Sequence, residues 1–204
     1  MSNRLRYKSK TRFDPLACVS DENLGSFLFD KTRLTTPTTI DNNILRFCKG
    51  ISPKTLPVFL SINPESWSRP GYCNKNVERM IQLHGGNIVM GYKIWYVPCL
   101  YIEAEKHAVW CNTVGTSVDI TYNVDGETKV LFLPVPALKT VVAHSYTKPR
   151  LAFHPRVSNF IEIQTKNEKL QSQLFDIQRD DTWEGWEKSI SFEKWCCIHQ
   201  IPDI

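Results

Sequence analysis

The clearest structural pattern in the chain is in residues 73–110, CNKNVERMIQLHGGNIVMGYKIWYVPCLYIEAEKHAVW. Its first part places apolar side chains at i, i+3 and i+4 over residues 73–84, which is the pattern of one helix face. Gly85 and Gly86 then stand where a helix normally ends. The residues after them alternate in polarity and are rich in β-branched and aromatic types, which is typical of strands. The stretch therefore predicts a helix followed by a sheet.

Four segments from residue 88 onward are predicted to be strands of one antiparallel meander. Short turn sequences such as Asp125-Gly126 separate them. The segments are 88–97, 101–110, 118–122 and 129–133. The fold class that we expect is α+β, with a helix packed on an antiparallel sheet of about four or more strands.

The chain of 204 residues has the length of one domain. We divide this domain into an irregular N-terminal extension, a core of helix and antiparallel sheet, and a helical, tryptophan-rich C-terminal region that packs on the core. The three parts are 1–66, 67–165 and 166–204.

Weaker patterns lie outside the main helix and the four strands. They predict a helical turn or two at 44–48 and short strands at 58–62, 141–144 and 160–164. Leu170, Leu174 and Ile177 have the spacing of a core-facing helix, which predicts a helix over residues 166–179.

Charge and composition exclude several classes of protein. The net charge of +4 is mild and only the first dozen residues are strongly basic, so nucleic acid is not expected as a partner. No run of about 18 apolar residues is present, so we expect no transmembrane helix and no membrane partner. Seven cysteines without an export signal predict reduced thiols and a cytoplasmic protein. Export of an effector by a signal-independent machine would leave the same pattern.

Cys73 is the candidate nucleophile because it begins the predicted helix. The backbone N–H groups at a helix start carry partial positive charge and favour a thiolate over a thiol. A thiolate is the form that attacks a carbonyl carbon. Residues 66–72 precede it and contain Pro70-Gly71, which predicts a loop that lets a substrate approach.

His107 and Asp119 are predicted to lie on neighbouring strands. Asp is disfavoured inside an apolar strand, so we expect Asp119 to have a specific role there. If residue 107 pairs opposite residue 119 in a hairpin, the two side chains project from one face and are neighbours. This register makes residues 112–114 a tight loop that is followed by Gly115.

The three residues together predict a catalytic triad. Cys73 attacks the substrate, His107 accepts the thiol proton and passes it to the leaving amine, and Asp119 orients the imidazole. The backbone N–H of Cys73 is one expected donor to the oxyanion. The side chains that could supply the second donor are those of Asn63, Ser68 and Asn74.

Five short motifs within residues 73–133, under a third of the chain, carry a family resemblance. The motifs are Cys73-x-x-Asn76-Val77, His84-Gly85-Gly86, Gly91-Tyr92-x-Ile94-Trp95, Ile102-Glu103-Ala104-Glu105-x-His107-Ala108-Val109-Trp110 and Val118-Asp119-Ile120-Thr121. They resemble a set of largely uncharacterised bacterial proteins and, more loosely, the core of the papain-like and transglutaminase-like cysteine enzymes.

The resemblance implies a papain-like or transglutaminase-like core and thiol chemistry on an amide, which is hydrolysis, deamidation or acyl transfer. It carries over Cys73, His107 and Asp119 only. The chain has no Gln several residues before Cys73, where papain-like enzymes keep an oxyanion side chain. We expect a hydrolase or deamidase that acts on a protein, a peptide or a small amide and needs no cofactor.

Two other functions stay open. The chain could be a non-enzymatic interaction module, in which the sheet is a scaffold and the tryptophan-rich end binds a protein. It could also bind zinc through Cys196-Cys197-x-His199 and other thiols or imidazoles, but it lacks the paired knuckles of structural zinc sites. The sequence has no phosphate-binding glycine loop and no HExxH motif, so nothing in it supports nucleotide-dependent or zincin chemistry.

Overall fold

The structure is a computed structural model of the chain, and it describes residues 14–136, 138, 148–174 and 182–201. These residues form an α+β architecture with helices around an antiparallel sheet of six strands, so the expected α+β class is confirmed, while the papain-like or transglutaminase-like core stays a prediction. The helices are α1 (Leu24–Leu28), α2 (Asn42–Ile51), α3 (Cys73–His84), α4 (Pro155–Leu174), α5 (Trp183–Lys188) and α6 (Phe192–His199). The strands are β1 (Val58–Ser61), β2 (Asn87–Val97), β3 (Tyr101–Cys111), β4 (Ser117–Val118), β5 (Lys129–Pro134) and β6 (Arg150–Ala152).

The strands follow one another across the sheet in the order β1-β5-β2-β3-β4, and β6 also pairs with β3. The predicted simple meander is therefore wrong, because β5 pairs with β2 and not with β4. The reason is the burial of β5, in which residues 130–133 are almost inaccessible on both faces. Such a strand needs neighbours on both edges, and the position between β1 and β2 provides them.

Strand β4 ends much earlier than the sequence predicts. Only two of its residues pair with β3, and Asp119 then leaves β3 and joins the edge of β1. The N–H of Asp119 donates to the carbonyl of Ser61 over 3.0 Å, and the N–H of Asn63 donates to the carbonyl of Asp119 over 2.8 Å. The two outer edges of the sheet thus meet at Asp119.

The predicted register between residues 107 and 119 is also wrong. Trp110 lies opposite Val118, which shifts the pairing by two residues relative to the prediction. A shift of two keeps every side chain on its face, because side chains alternate with period two along a strand. His107 and Asp119 therefore still project from the same face.

Helices α2 and α3 cover one face of the sheet, which is formed by the even-numbered residues of β2 and β3. Helix α2 packs against the part of this face that contains Ile94 and Ala104. Helix α3 packs against the part that contains Met90 and Ala108. The odd-numbered face is covered at one end by α1 and α4.

Helix α4 occupies residues for which the sequence predicts a strand and a separate helix. The predicted strand at 160–164 lies inside it, because Val157 and Ile161 pack together at the i, i+4 spacing of a helix. The helix predicted over 166–179 begins earlier, at Pro155, and Leu170 is 55% exposed rather than in the core. Ile177 and the strand predicted at 141–144 lie outside the described residues.

The tryptophan-rich end folds back on the core, as the sequence predicts. Trp186 of α5 is buried, and its indole N–H donates to Asn76 Oδ1 of α3 over 2.8 Å. The N–H of Phe192 at the start of α6 donates to the carbonyl of Ser68 over 3.0 Å. This end therefore holds the loop that precedes α3.

The segment predicted as an irregular extension contributes regular structure to the core. Helix α2 buries Ile44 and Phe47 against the sheet, and β1 pairs with β5 along its whole length. The predictions of a helix at 44–48 and of a strand at 58–62 are confirmed. The boundaries of the three parts of the domain stay a prediction.

Gly91 fixes the distance between β2 and β5. It lies opposite His107 in the β2–β3 ladder. A Cβ at this position would overlap the carbonyl oxygen of Leu133 and lie 2.6 Å from Phe132 Cζ. We expect Gly91→Ala to lower the free energy of unfolding by about 1–3 kcal/mol, because the backbone of β5 must move.

Urea denaturation of Gly91→Ala checks this expectation. Gly50→Ala is the matched control, since a Cβ at Gly50 meets nothing within 4 Å. The control is expected to be neutral or slightly stabilising, as Ala is in an open helical position. Equal midpoints for Gly91→Ala and the unmodified protein would contradict the close approach of these strands.

Within the described residues, no helix is long and apolar enough to cross a membrane.

Candidate active site

His107 and Asp119 form a buried hydrogen-bonded pair. The imidazole Nε2 lies 2.9 Å from Asp119 Oδ2, and the side chains are 7% and 0% exposed. Asp119 Oδ1 accepts the N–H of Thr121 over 3.0 Å, which fixes the carboxylate. The hydrogen bond through Nε2 leaves Nδ1 as the ring nitrogen that could face a substrate or a nucleophile.

Lys93 shares the same carboxylate oxygen with His107. Its Nζ lies 3.1 Å from Asp119 Oδ2, and its side chain is only 8% exposed. Lys93 is on β2, directly opposite Glu105 of β3. No sequence pattern marks Lys93, since a Lys in an alternating strand is most often on the solvent face.

The pair is held in its charged form. Burial and the nearby Lys93 both lower the pKa of His107. The Asp119 carboxylate and Cys73 raise it by more, so the pKa of His107 is raised to about 9. Burial raises the pKa of Asp119. The nearby His107 and Lys93 lower it by more, so the pKa of Asp119 is lowered to about 2. At neutral pH His107 is therefore an imidazolium and Asp119 a carboxylate.

These shifts predict how stability depends on pH. The pKa of His107 is raised from 6.5 to about 9, so its contribution is complete below pH 6.5 and is lost as the pH rises through 9. The pKa of Asp119 is lowered from 3.8 to about 2, so its contribution is present above pH 3.8 and is lost as the pH falls through 2.

We expect the melting temperature to fall between pH 6.5 and 9, and His107→Gln to remove most of this fall. Melting followed by circular dichroism across that range checks it. The same alkaline fall in both proteins would show that His107 is not the group responsible.

Cys73 is the first residue of α3 and is half-buried. Tyr72 at the N-cap makes no side-chain hydrogen bond to this helix start. The N–H groups of the first helical turn have no acceptor within their own helix, so their partial positive charge acts on the sulfur. Cys73 packs beside Val77 against the apolar cluster under α3.

Cys73 and His107 interact electrostatically but are not hydrogen-bonded within the described part of the chain. Ala108 packs against α3, and His107, the residue before it on β3, therefore projects from the opposite face of the sheet. The charge of Cys73 still contributes to the raised pKa of His107. The structure thus brings His107 and Asp119 into contact and leaves Cys73 outside that contact.

The edge of β3 that lies away from β2 is paired with described strands only near its two ends. Strand β6 pairs with residues 101–103 and β4 with residues 110–111, while β2 occupies the whole other edge. Over residues 105–109, this edge has no strand partner among the described residues. His107 lies at the centre of this interruption of the ladder.

Asn76 anchors the start of α3. Its Oδ1 accepts the N–H of Arg69 and the indole N–H of Trp186, over 3.0 and 2.8 Å. Its Nδ2 donates to the carbonyl of Arg69 and to Thr121 Oγ1, over 2.8 and 3.0 Å. Asn76 thus joins the loop before Cys73, the C-terminal region and the segment after Asp119. The one sequence signal for it is a polar residue on the apolar face of a helix.

The three candidates for the second oxyanion donor have different environments. Ser68 is fully buried, and its Oγ has no hydrogen-bond partner in the described residues. Asn74 is buried in the first turn of α3. The backbone N–H of Asn63 donates to the carbonyl of Asp119. Asn74 is the one of the three candidates that shares a helical turn with Cys73.

No group of three or more His, Cys, Asp or Glu side chains that could hold a metal ion occurs in the described ranges. Comparisons with protein-family models, with curated proteins and with solved structures find no match for this chain.

Proposed function

We propose that this protein is a cysteine-dependent enzyme that hydrolyses or deamidates an amide, with the core of the papain-like and transglutaminase-like enzymes. Cys73 is the nucleophile, His107 the acid and base, and Asp119 the orienting carboxylate. The observation that supports the proposal most is the buried His107–Asp119 pair, whose imidazole is kept protonated in part by Cys73. An imidazolium that interacts with a thiolate is the resting state that such chemistry uses.

The reaction has two balanced halves. The Cys73 thiolate attacks the amide carbon, the C–N bond breaks, and the His107 imidazolium gives its proton to the leaving nitrogen. Neutral His107 then takes a proton from water, and the hydroxide attacks the thioester, which gives a carboxylic acid product and releases the Cys73 thiolate, so that the starting thiolate and imidazolium are restored. Asp119 stabilises the imidazolium in each protonated state. No cofactor is required.

The proposal requires Cys73 and His107 to approach each other when substrate binds. Catalytic hydrogen bonds are often long in free enzymes and shorten in the substrate complex. Cys73 and Asn76 lie in the first turn of α3, and Asn76 Nδ2 donates to Thr121 Oγ1, two residues after Asp119. Rotation of the Cys73 side chain from this position toward β3 would bring the sulfur closer to the ring.

Iodoacetamide labelling tests the proposal without a known substrate. Cys111 is the matched control, because its thiol is also half-buried and free. We expect Cys73 to be alkylated about tenfold faster than Cys111 at neutral pH, since only Cys73 has a helix start and an imidazolium. His107→Gln is expected to remove most of the difference. Equal rates at the two thiols would overturn the assignment of Cys73.

Intact-mass analysis then identifies the reaction. Candidate proteins and peptides are incubated with the unmodified chain and with Cys73→Ala. A gain of about one dalton that requires Cys73 indicates deamidation, whereas fragments that require it indicate hydrolysis of the backbone.

A non-enzymatic interaction module is the second candidate function. The observation that favours it is the burial of Lys93, His107 and Asp119 on the face away from α3, as in a structural network inside a scaffold. In that case Cys73 is a packing residue and reacts no faster than Cys111. The labelling experiment therefore separates the two functions.

A further inference from the structure

One buried charge near the candidate site has no part in the triad. Lys93 is the only cation described in contact with Asp119 apart from His107, and both use the same oxygen, Oδ2. An ammonium group that is 8% exposed is costly unless it is paired, so its position is determined by Asp119. The three groups form one unit inside the sheet.

We propose that Lys93 is a positioning residue of the proposed active site, which fixes the Asp119 carboxylate and limits how tightly His107 holds its proton. The inference rests on the proposed function, since it assigns a role to Lys93 in the proton transfer from His107. Lys93 does not touch the substrate in this role. It acts through the carboxylate oxygen that it shares with the imidazole.

The geometry explains why a second cation helps. A lone aspartate next to a buried imidazole would stabilise the imidazolium so strongly that the ring would be a poor acid. The positive charge of Lys93 offsets part of the negative charge on the same oxygen and repels the positive charge of the His107 imidazolium. The ring then releases its proton to the leaving nitrogen more readily.

Other charged groups also face this unit. Glu105 lies opposite Lys93 on β3 and interacts with it and with His107, and Lys148 lies 3.9 Å from Glu105. Cys73 interacts from α3. Glu105 and Lys148 oppose each other in charge and both stay in place when Lys93 is replaced. A change on replacing Lys93 therefore reports the loss of its own charge.

Lys93→Met tests the role, because Met has similar length and no charge. The readout is the pH profile of Cys73 alkylation by iodoacetamide, together with the titration of the His107 ring by NMR. We expect the pKa of His107 and the alkaline limb of the profile to move up by about one pH unit, as on removal of a neighbouring like charge. Lys93→Arg is expected to restore the original limb, and Lys129→Met, an exposed control on β5, to leave it unchanged.

An unchanged limb in folded Lys93→Met would overturn the role of Lys93. If Lys93→Met does not fold, Lys93→Gln takes its place, because Gln keeps a hydrogen-bond donor without the charge. An alkaline limb that moves up in Lys93→Gln supports the role of Lys93, and an unchanged limb overturns it. Failure of the proposed function has a different signature. In that case, the pH profile of Cys73 alkylation in the unmodified chain has no alkaline limb that His107→Gln removes.

Discussion

Cys73→Ala is expected to abolish turnover, with a loss on the order of 10⁴-fold or more, and to leave the fold intact. The nucleophile supplies the covalent step, and the residual rate comes only from binding and oxyanion stabilisation. The Cys73 side chain is small and half-buried, so its loss creates little cavity. The measurement is acetylation by p-nitrophenyl acetate, followed as transfer of one acetyl group by intact mass.

Cys111→Ala is the matched control and is expected to keep the acetylation rate. It removes an equally half-buried thiol from the end of β3. Acetylation that persists at the same rate in Cys73→Ala would show that the reactive group is elsewhere.

Asp119→Ala is expected to lower the free energy of unfolding by about 3–5 kcal/mol at neutral pH. The substitution leaves the Lys93 ammonium and the His107 imidazolium buried without their shared counter-charge. The pKa of His107 falls as a result, because the carboxylate that raised it is gone. Urea denaturation measures the stability, and NMR titration of the ring measures the pKa.

Asp125→Ala is the control for this prediction, since Asp125 is exposed in a turn, and its effect is expected to be within about 0.5 kcal/mol. Asp119→Asn keeps a hydrogen-bond acceptor but not the charge, so we expect residual activity with a disturbed imidazole. A free energy of unfolding of Asp119→Ala equal to that of Asp125→Ala would contradict the buried network. Full activity of Asp119→Asn would contradict the orienting role.

Local patterns were sufficient for the helix and for most of the strands. Helix α3 begins at Cys73 and ends at His84, as predicted, because its apolar spacing and the two glycines after it are both local signals. Strands β2, β3 and β5 also match their predicted ranges within one residue. Sequence could supply these elements because each depends on neighbours along the chain.

The arrangement of the strands depends on distant contacts, which a single sequence does not contain. The alternation of residues 118–122 predicts a strand of five residues. In the structure β4 ends at Val118, and the backbone of Asp119 hydrogen-bonds to Ser61 and Asn63 instead of continuing the ladder with β3. That crossing also buries Lys93, which no local pattern marks. The His107–Asp119 contact could be anticipated only because a register error of two residues preserves the face.

Titration of the His107 ring by NMR in the unmodified protein and in Cys73→Ala tests whether the sulfur and the imidazole form one site. We expect a pKa of about 9 in the unmodified protein and a lower pKa in Cys73→Ala, because the electrostatic interaction with Cys73 contributes to the raised pKa. An identical pKa in both proteins would show that the sulfur and the imidazole do not interact and that Cys73 and His107 do not form one site.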